Sequence, residues 1–261
     1  MRVSVESPCM NSVLVCLHGW GGTKESFTEI REALKGKDIE ILTPDLPGFG
    51  LEPEPPRPWT VDDYAEWVEE WLTKRLATRD SRLENGKPPE ILLLGHSHGG
   101  RIAMKLAART TSNFVITHLY LCAAAGIRRP RHFKRIIGLT LAKAGKTLLS
   151  IPGLKFLAPL GKKFLYKLVR VHDYEKASPV MRETMIRVTK EDLRPLLPRI
   201  HVPTHIFWGA LDQMTPVRDA YVIHRDIASS VLTVYPGVRH SVHRDRAREI
   251  ATAISAVRQH S

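Results

Sequence analysis

The sequence predicts an α/β fold: a mostly parallel central sheet, helices on both faces, and a helical lid inserted into the second half of the chain. Three observations carry this. Short apolar runs of strand length alternate with stretches of helical period. Several strands read as unbroken apolar runs, as expected where a parallel sheet is covered on both sides. The turns richest in glycine and chemically useful side chains follow those runs, at the strand ends where such sheets place their sites.

The elements follow in order. Val13 to Leu17 reads as a buried strand and ends at His18-Gly19-Trp20-Gly21-Gly22. Lys24 to Leu34 reads as a helix with Phe27, Ile30 and Leu34 on one face. Ile39 to Thr43 is a second strand, ending in Pro44-Asp45-Leu46-Pro47-Gly48-Phe49-Gly50, and a proline-rich loop runs to Pro58. Thr60 with Asp63 signals a helix start, and Tyr64, Trp67, Val68 and Trp71 continue its apolar face. Ile91 to Leu94 and Val115 to Ala124 are further strands, with a helix from Arg101 to Arg109 between them. The alternation resumes with a strand from Thr204 to Gly209. A helix near Val217 to Ile227, a strand from Val231 to Tyr235 and a last helix near Asp245 to Val257 follow.

Between the two halves the pattern changes. Gly126 to Pro198 is basic, helical in period and broken by prolines. Phe133, Ile136, Ile137, Thr140, Leu141 and Ala144 share one helical face, and Leu157, Leu160, Phe164, Leu165 and Leu168 another. The division is therefore a core of residues 1–125 and 199–261 with a basic helical lid at 126–198. The chain carries 39 Lys/Arg against 27 Asp/Glu, net +12. Between Ile127 and His172 stand twelve Lys/Arg and no acid, so this segment holds the whole excess. Such a face reads first as the solvated outside of a lid with apolar inner sides. It also suits an anionic or lipid-like substrate, or peripheral contact with an anionic membrane. No nucleic-acid module accompanies the charge, so nucleic acid is not expected as a partner.

With 261 residues, 43% hydrophobic, the chain can bury one sizeable core. The three cysteines, Cys9, Cys16 and Cys122, have no metal spacing, and two sit in apolar runs as ordinary packing residues. No signal-peptide h-region or membrane-length apolar run is apparent. The expected setting is cytoplasmic.

Gly95-His96-Ser97-His98-Gly99 stands between a strand and a helix. A strand turning sharply into a helix at G-x-S-x-G is a nucleophile elbow. Small residues two positions either side let the two backbones approach, and the serine hydroxyl is lifted clear of the sheet at a helix N-terminus. At neutral pH a serine needs a base, and the base needs an acid to fix its tautomer. Asp212, in the loop after one later strand, and His240, after the next, are the candidates.

The segments HGWGG, DLPGFG, GHSHGG, WGALDQMTP and GVRHSVH, in this order, resemble the α/β-hydrolase superfamily over essentially the whole chain. The resemblance implies Ser97 as nucleophile, His240 as base and Asp212 as acid, with the N–H groups of Trp20 and His98 as the oxyanion hole. A serine at the elbow, where dehalogenases and epoxide hydrolases of this fold carry aspartate, implies an acyl-enzyme. The residues 122–126 offer no carboxylate, which leaves Asp212 as the acid. His18 is expected to hold the oxyanion loop, Asp45 to organise its own loop, and His96 to pack in the elbow. His240 and His243 lack an accompanying ligand glutamate, so neither a metal nor another cofactor is expected. The expected activity is hydrolysis of a small-molecule carboxylic ester. The alternatives are C–C bond hydrolysis of ring-cleavage products, or a receptor of small molecules on the same fold.

Overall fold

The computed structural model describes residues 12–77, 88–109, 111, 113–128 and 177–257. Among them, six strands form one all-parallel sheet in the order β2-β1-β3-β4-β5-β6. These are β1 (Ser12–Leu17), β2 (Ile39–Leu42), β3 (Glu90–His96), β4 (Val115–Cys122), β5 (Thr204–Gly209) and β6 (Ser230–Tyr235). The α-helices are α1 (Thr28–Ala33), α2 (Val61–Ala77), α3 (His98–Ala107), α4 (Pro179–Lys190), α5 (Arg218–Asp226), α6 (Val242–Asp245) and α7 (Ala247–Ala256). This is the α/β-hydrolase fold, with helices flanking a parallel sheet.

Burial follows position in the sheet. The central strands β1 and β3 are buried almost end to end, which their continuous apolar runs require. The edge strands β2 and β6 are only partly covered. One expected helix is interrupted, and the last is preceded by a separate short one. Residues 24–33 begin as a 3-10 turn, Lys24–Phe27, because Thr23 and Ser26 cap one another reciprocally and Phe27 leaves helical geometry before α1 starts. Helical geometry is lost at Arg246 (φ −128°, ψ 34°), separating α6 from α7. The start of α2 is fixed as its sequence suggests: the Thr60 N–H and hydroxyl both donate to Asp63 Oδ2, at 2.6 and 2.7 Å.

The long crossover from β4 to β5 contains the predicted lid. Residues 129–176, with twelve of its seventeen basic side chains, lie outside the described residues. Its returning limb is described. Helix α4 is pinned to the proline-rich loop: Thr184 Oγ1 accepts from Trp59 N at 3.0 Å, Arg187 donates to Pro58 O at 3.1 Å, and the Ser178 hydroxyl donates to Glu54 at 2.5 Å. Just beyond it, Glu191 meets Lys105 Nζ of α3 at 2.5 Å, and Lys105 also meets Asp62 of α2 at the same distance. Lys105 is buried, so both carboxylates offset the cost of desolvating one ammonium. Arg101, one turn earlier on α3, donates to Glu191 O at 3.2 Å. Burial, opposed by the charges of Glu191, Asp192 and Asp219, lowers its pKa to about 10.

Helix α3 closely approaches both β3 and β1 at its first turn. A Cβ on Gly95 would stand 2.6 Å from Gly99 O, and one on Gly99 would run into the carbonyl of Leu17. Helix and strand can meet at this turn only because both positions lack side chains. Gly99→Ala is expected to cost about 3 kcal/mol or more in urea unfolding, as backbone rather than a flexible side chain must yield. A variant as stable as the parent would show that α3 and the end of β1 do not approach so closely.

Candidate active site

The strand–helix turn holds Ser97 at φ 51° and ψ −110°, a left-handed conformation rare for a residue with a Cβ. Neighbouring backbone holds it there. Ser97 N donates to Cys122 O at 3.1 Å, and Ser97 O accepts from Ala125 N at 2.9 Å and Gly100 N at 3.1 Å. The strain is thus over-determined by β4 and by the first turn of α3, the arrangement expected where a side chain must be presented in one direction.

Asp212 and His240 come together as their sequence positions suggest. His240 Nδ1 lies 2.7 Å from Asp212 Oδ2. The other carboxylate oxygen accepts from the N–H groups of Met214 at 2.8 Å and Thr215 at 3.0 Å. Burial would raise the Asp212 pKa, but the bond to His240, its charge and the Thr215 donors outweigh this and hold it below the ordinary carboxylate range. An ionised Asp212 accepts the Nδ1 proton, which leaves Nε2 of a neutral His240 as a lone-pair base. No hydrogen bond joins Ser97 to His240 here. They are linked through His96, the residue before Ser97, whose ring centre is 4.9 Å from that of His240.

The loop after β1 lies against the serine. A Cβ on Gly19 would sit 3.1 Å from the Ser97 Cβ and 2.9 Å from His96 Nδ1, so only glycine lets this loop approach. His18 fastens the loop. Its Nδ1 donates to Gly19 O at 2.8 Å and its Nε2 accepts from Leu46 N at 2.9 Å, which fixes the neutral Nδ1–H tautomer. Burial lowers the pKa of His18, against the bond to Gly19 and the charge of Asp45. Asp45 organises the second loop, accepting from Lys24 N at 2.6 Å and Leu51 N at 3.1 Å.

Trp20 and His98, whose N–H groups are the expected oxyanion donors, are neighbours through their rings, 5.4 Å apart and T-shaped. The His98 N–H opens helix α3 and has no intrahelical acceptor. Phe49 packs on Trp20 at 4.9 Å and Tyr64 on His98 at 4.9 Å. This edge-to-face row sets Trp20 and His98 against each other. Both ring nitrogens of His98 are buried without a hydrogen-bond partner, among π-systems that can accept weakly from an N–H.

Two contributors were not legible beforehand. Thr215 places its hydroxyl 2.8 Å from Asp212 Oδ2 and 3.0 Å from Ala123 O, so its single proton lies between the acid and the residue that follows β4. The only sequence signal is its place three residues after Asp212. Ala123 is itself left-handed (φ 46°), a strain with no mark in the sequence.

Residues 14–253 match the alpha/beta hydrolase family, and the chain belongs to it. It is 27% identical to AB hydrolase superfamily protein YisY of Bacillus subtilis (strain 168), over 93% of this chain and 90% of that one. It is 24% identical to Lipase 1 of Psychrobacter immobilis, over 87% of this chain and 70% of that one. Among solved structures it resembles the esterase EaEST from Exiguobacterium antarcticum, with a TM-score of 0.67 at 24% identity, covering 94% and 91% of the two chains. That last likeness speaks to fold alone. Among the described residues, no helix is long and apolar enough to cross a membrane.

The neutral His98 has a consequence for stability. Burial above all, with Arg101 and His18 nearby, lowers its pKa from 6.5 to about 3. Between those values the unfolded chain binds the proton and the folded one does not. The stability contribution is therefore complete above pH 6.5 and is lost as pH falls, by about 1.4 kcal/mol per unit. Urea unfolding at pH 7 and pH 5 should show His98→Met losing about 2 kcal/mol less than the parent over that interval. Equal losses would mean that His98 is protonated in the folded protein.

Proposed function

We propose that the chain is a serine hydrolase that cleaves carboxylic esters through an acyl-enzyme. The observation that carries this is the 2.7 Å contact between a buried Asp212 and His240 at the same sheet end as the strained elbow of Ser97. His240 Nε2 takes the Ser97 proton as Oγ attacks the ester carbonyl. The carbonyl oxygen gains the charge and is received by the N–H groups of Trp20 and His98. Asp212 stabilises the imidazolium without itself taking a proton. Collapse of the tetrahedral species expels the alcohol, which takes its proton from His240. Water then attacks the acyl-enzyme through the same base and releases the acid. None of these steps draws on a cofactor.

A relative named as a lipase supports ester chemistry over the other reactions of the fold. The twelve basic residues between Ile127 and His172 favour an anionic or lipid-like ester, or one met at an anionic membrane. The test is one panel of p-nitrophenyl esters, from short to long acyl chains and with one anionic member, assayed at low and high salt. Ser97→Ala should abolish turnover. Asp212→Asn should lower kcat by about 10⁴-fold while the protein stays folded, because the base loses its tautomer. Only the anionic ester should lose kcat/KM as salt rises. A fully active Asp212→Asn would place the acid elsewhere. A wild-type enzyme that turns over no ester would overturn the proposal.

A further inference from the structure

The residue before the nucleophile has a second connection. His96 ends β3 and is peptide-bonded to Ser97, yet its ring lies across the sheet end against the loop that carries His240. Its Nε2 is 3.2 Å from the main-chain oxygen of His240. A carbonyl can only accept, so this nitrogen carries the proton and donates. The ring is clamped on two sides. His243 of α6 lies against it with centres 3.8 Å apart and planes 35° apart, and Gly19 leaves no room behind Nδ1.

The base loop is held elsewhere by its other neighbours. Val238 O accepts from Leu211 N at 2.9 Å, which joins it to the loop of Asp212. Ser241 O accepts from Arg244 N and Asp245 N at 2.9 and 3.0 Å, which joins it to α6. Neither contact refers the base to the nucleophile. The His96 bond does, because the donor is one peptide bond from Ser97 and the acceptor belongs to His240 itself. Resting on the serine-hydrolase reading above, we infer that His96 is a positioning residue, which sets the distance from Ser97 to His240 by donating its Nε2–H to the His240 main-chain oxygen.

The surroundings keep that donor in one form. Burial, then the neighbouring His243, His240 and Arg244, hold His96 well below the ordinary histidine pKa, against the bond to the His240 carbonyl. His243 is likewise lowered, to about 3, chiefly by burial. Asp212 reaches His240 on its Nδ1 side and is the carboxylate of this group. A neutral His96 adds no positive charge beside the base, and its tautomer is fixed by the acceptor it serves.

Three substitutions separate positioning from packing. Gln places an N–H near the old Nε2. Phe keeps the ring and loses the donor. Asn places its amide near the old Nδ1, away from the carbonyl. Positioning predicts that His96→Gln keeps kcat within about tenfold, while His96→Phe and His96→Asn lose about 10²-fold in kcat with little change in KM, as a misplaced catalytic group does. Packing alone predicts the opposite order, with Phe the best tolerated. Proton NMR of the free enzyme supplies a readout that needs no turnover: the low-field Nδ1 proton shared by His240 and Asp212. It should stay sharp in the parent and in His96→Gln, and broaden or move upfield in His96→Phe and His96→Asn. An unchanged resonance in folded His96→Phe, or Gln no better than Phe, overturns the inference. If Phe fails to fold, the comparison of Gln with Asn decides. If the wild type hydrolyses no ester, the functional reading fails, and the resonance still decides the role of His96.

Discussion

The close approach of β3 and α3 at Ser97 is the constraint on which the site depends. A strand buried on both faces cannot present a side chain to a ligand, and a helix cannot begin beside it without room for its first turn. The turn resolves both demands by holding one residue left-handed and removing the Cβ atoms of Gly95 and Gly99. A local strain of order 1–3 kcal/mol is offset by hydrogen bonds to β4 and by packing along α3. The neighbouring loops then inherit their positions. Gly19 can lie against the serine, Ala125 is tied to Ser97 O, and Ala123 O is available to Thr215.

A second regularity concerns charge. His18, His96, His98 and His243 stand around the elbow, and burial is the leading cause that keeps each neutral. Asp212, equally removed from water, is kept ionised by four donors. Asp212 meets the ring of His240 directly, with neutral imidazoles around them. In the proposed mechanism, that ring holds the proton between attack and departure of the leaving group. The buried cations Arg101 and Lys105 lie further along α3, where Glu191 and Asp62 answer them.

Much of this was legible in the sequence because it rests on local rules. Unbroken apolar runs gave the central strands, Thr60 and Asp63 marked the start of α2, and G-x-S-x-G marked the turn at Ser97. Asp212 and His240 were legible as polar residues just beyond strand ends, though only tertiary structure brings them within 2.7 Å. What was hidden depends on neighbours distant in the chain. His96 looked like elbow packing because its acceptor lies 144 residues away. Thr215 was not singled out because its partner, Ala123, is 92 residues off. The break at Phe27 escaped because helical spacing continues through it, while the Thr23–Ser26 cap acts on backbone angles. The predicted lid rests on residues mostly outside those described, so its helices remain an expectation from periodicity.

The most direct measurement of the central claim is the site of covalent capture. The protein is treated with a fluorophosphonate, weighed intact and mapped by peptide mass spectrometry. The account predicts a single phosphonyl adduct on Ser97, formed rapidly in the wild type and far more slowly once Asp212 is changed to Asn. An adduct on another residue, or none on the folded wild-type protein, would contradict it.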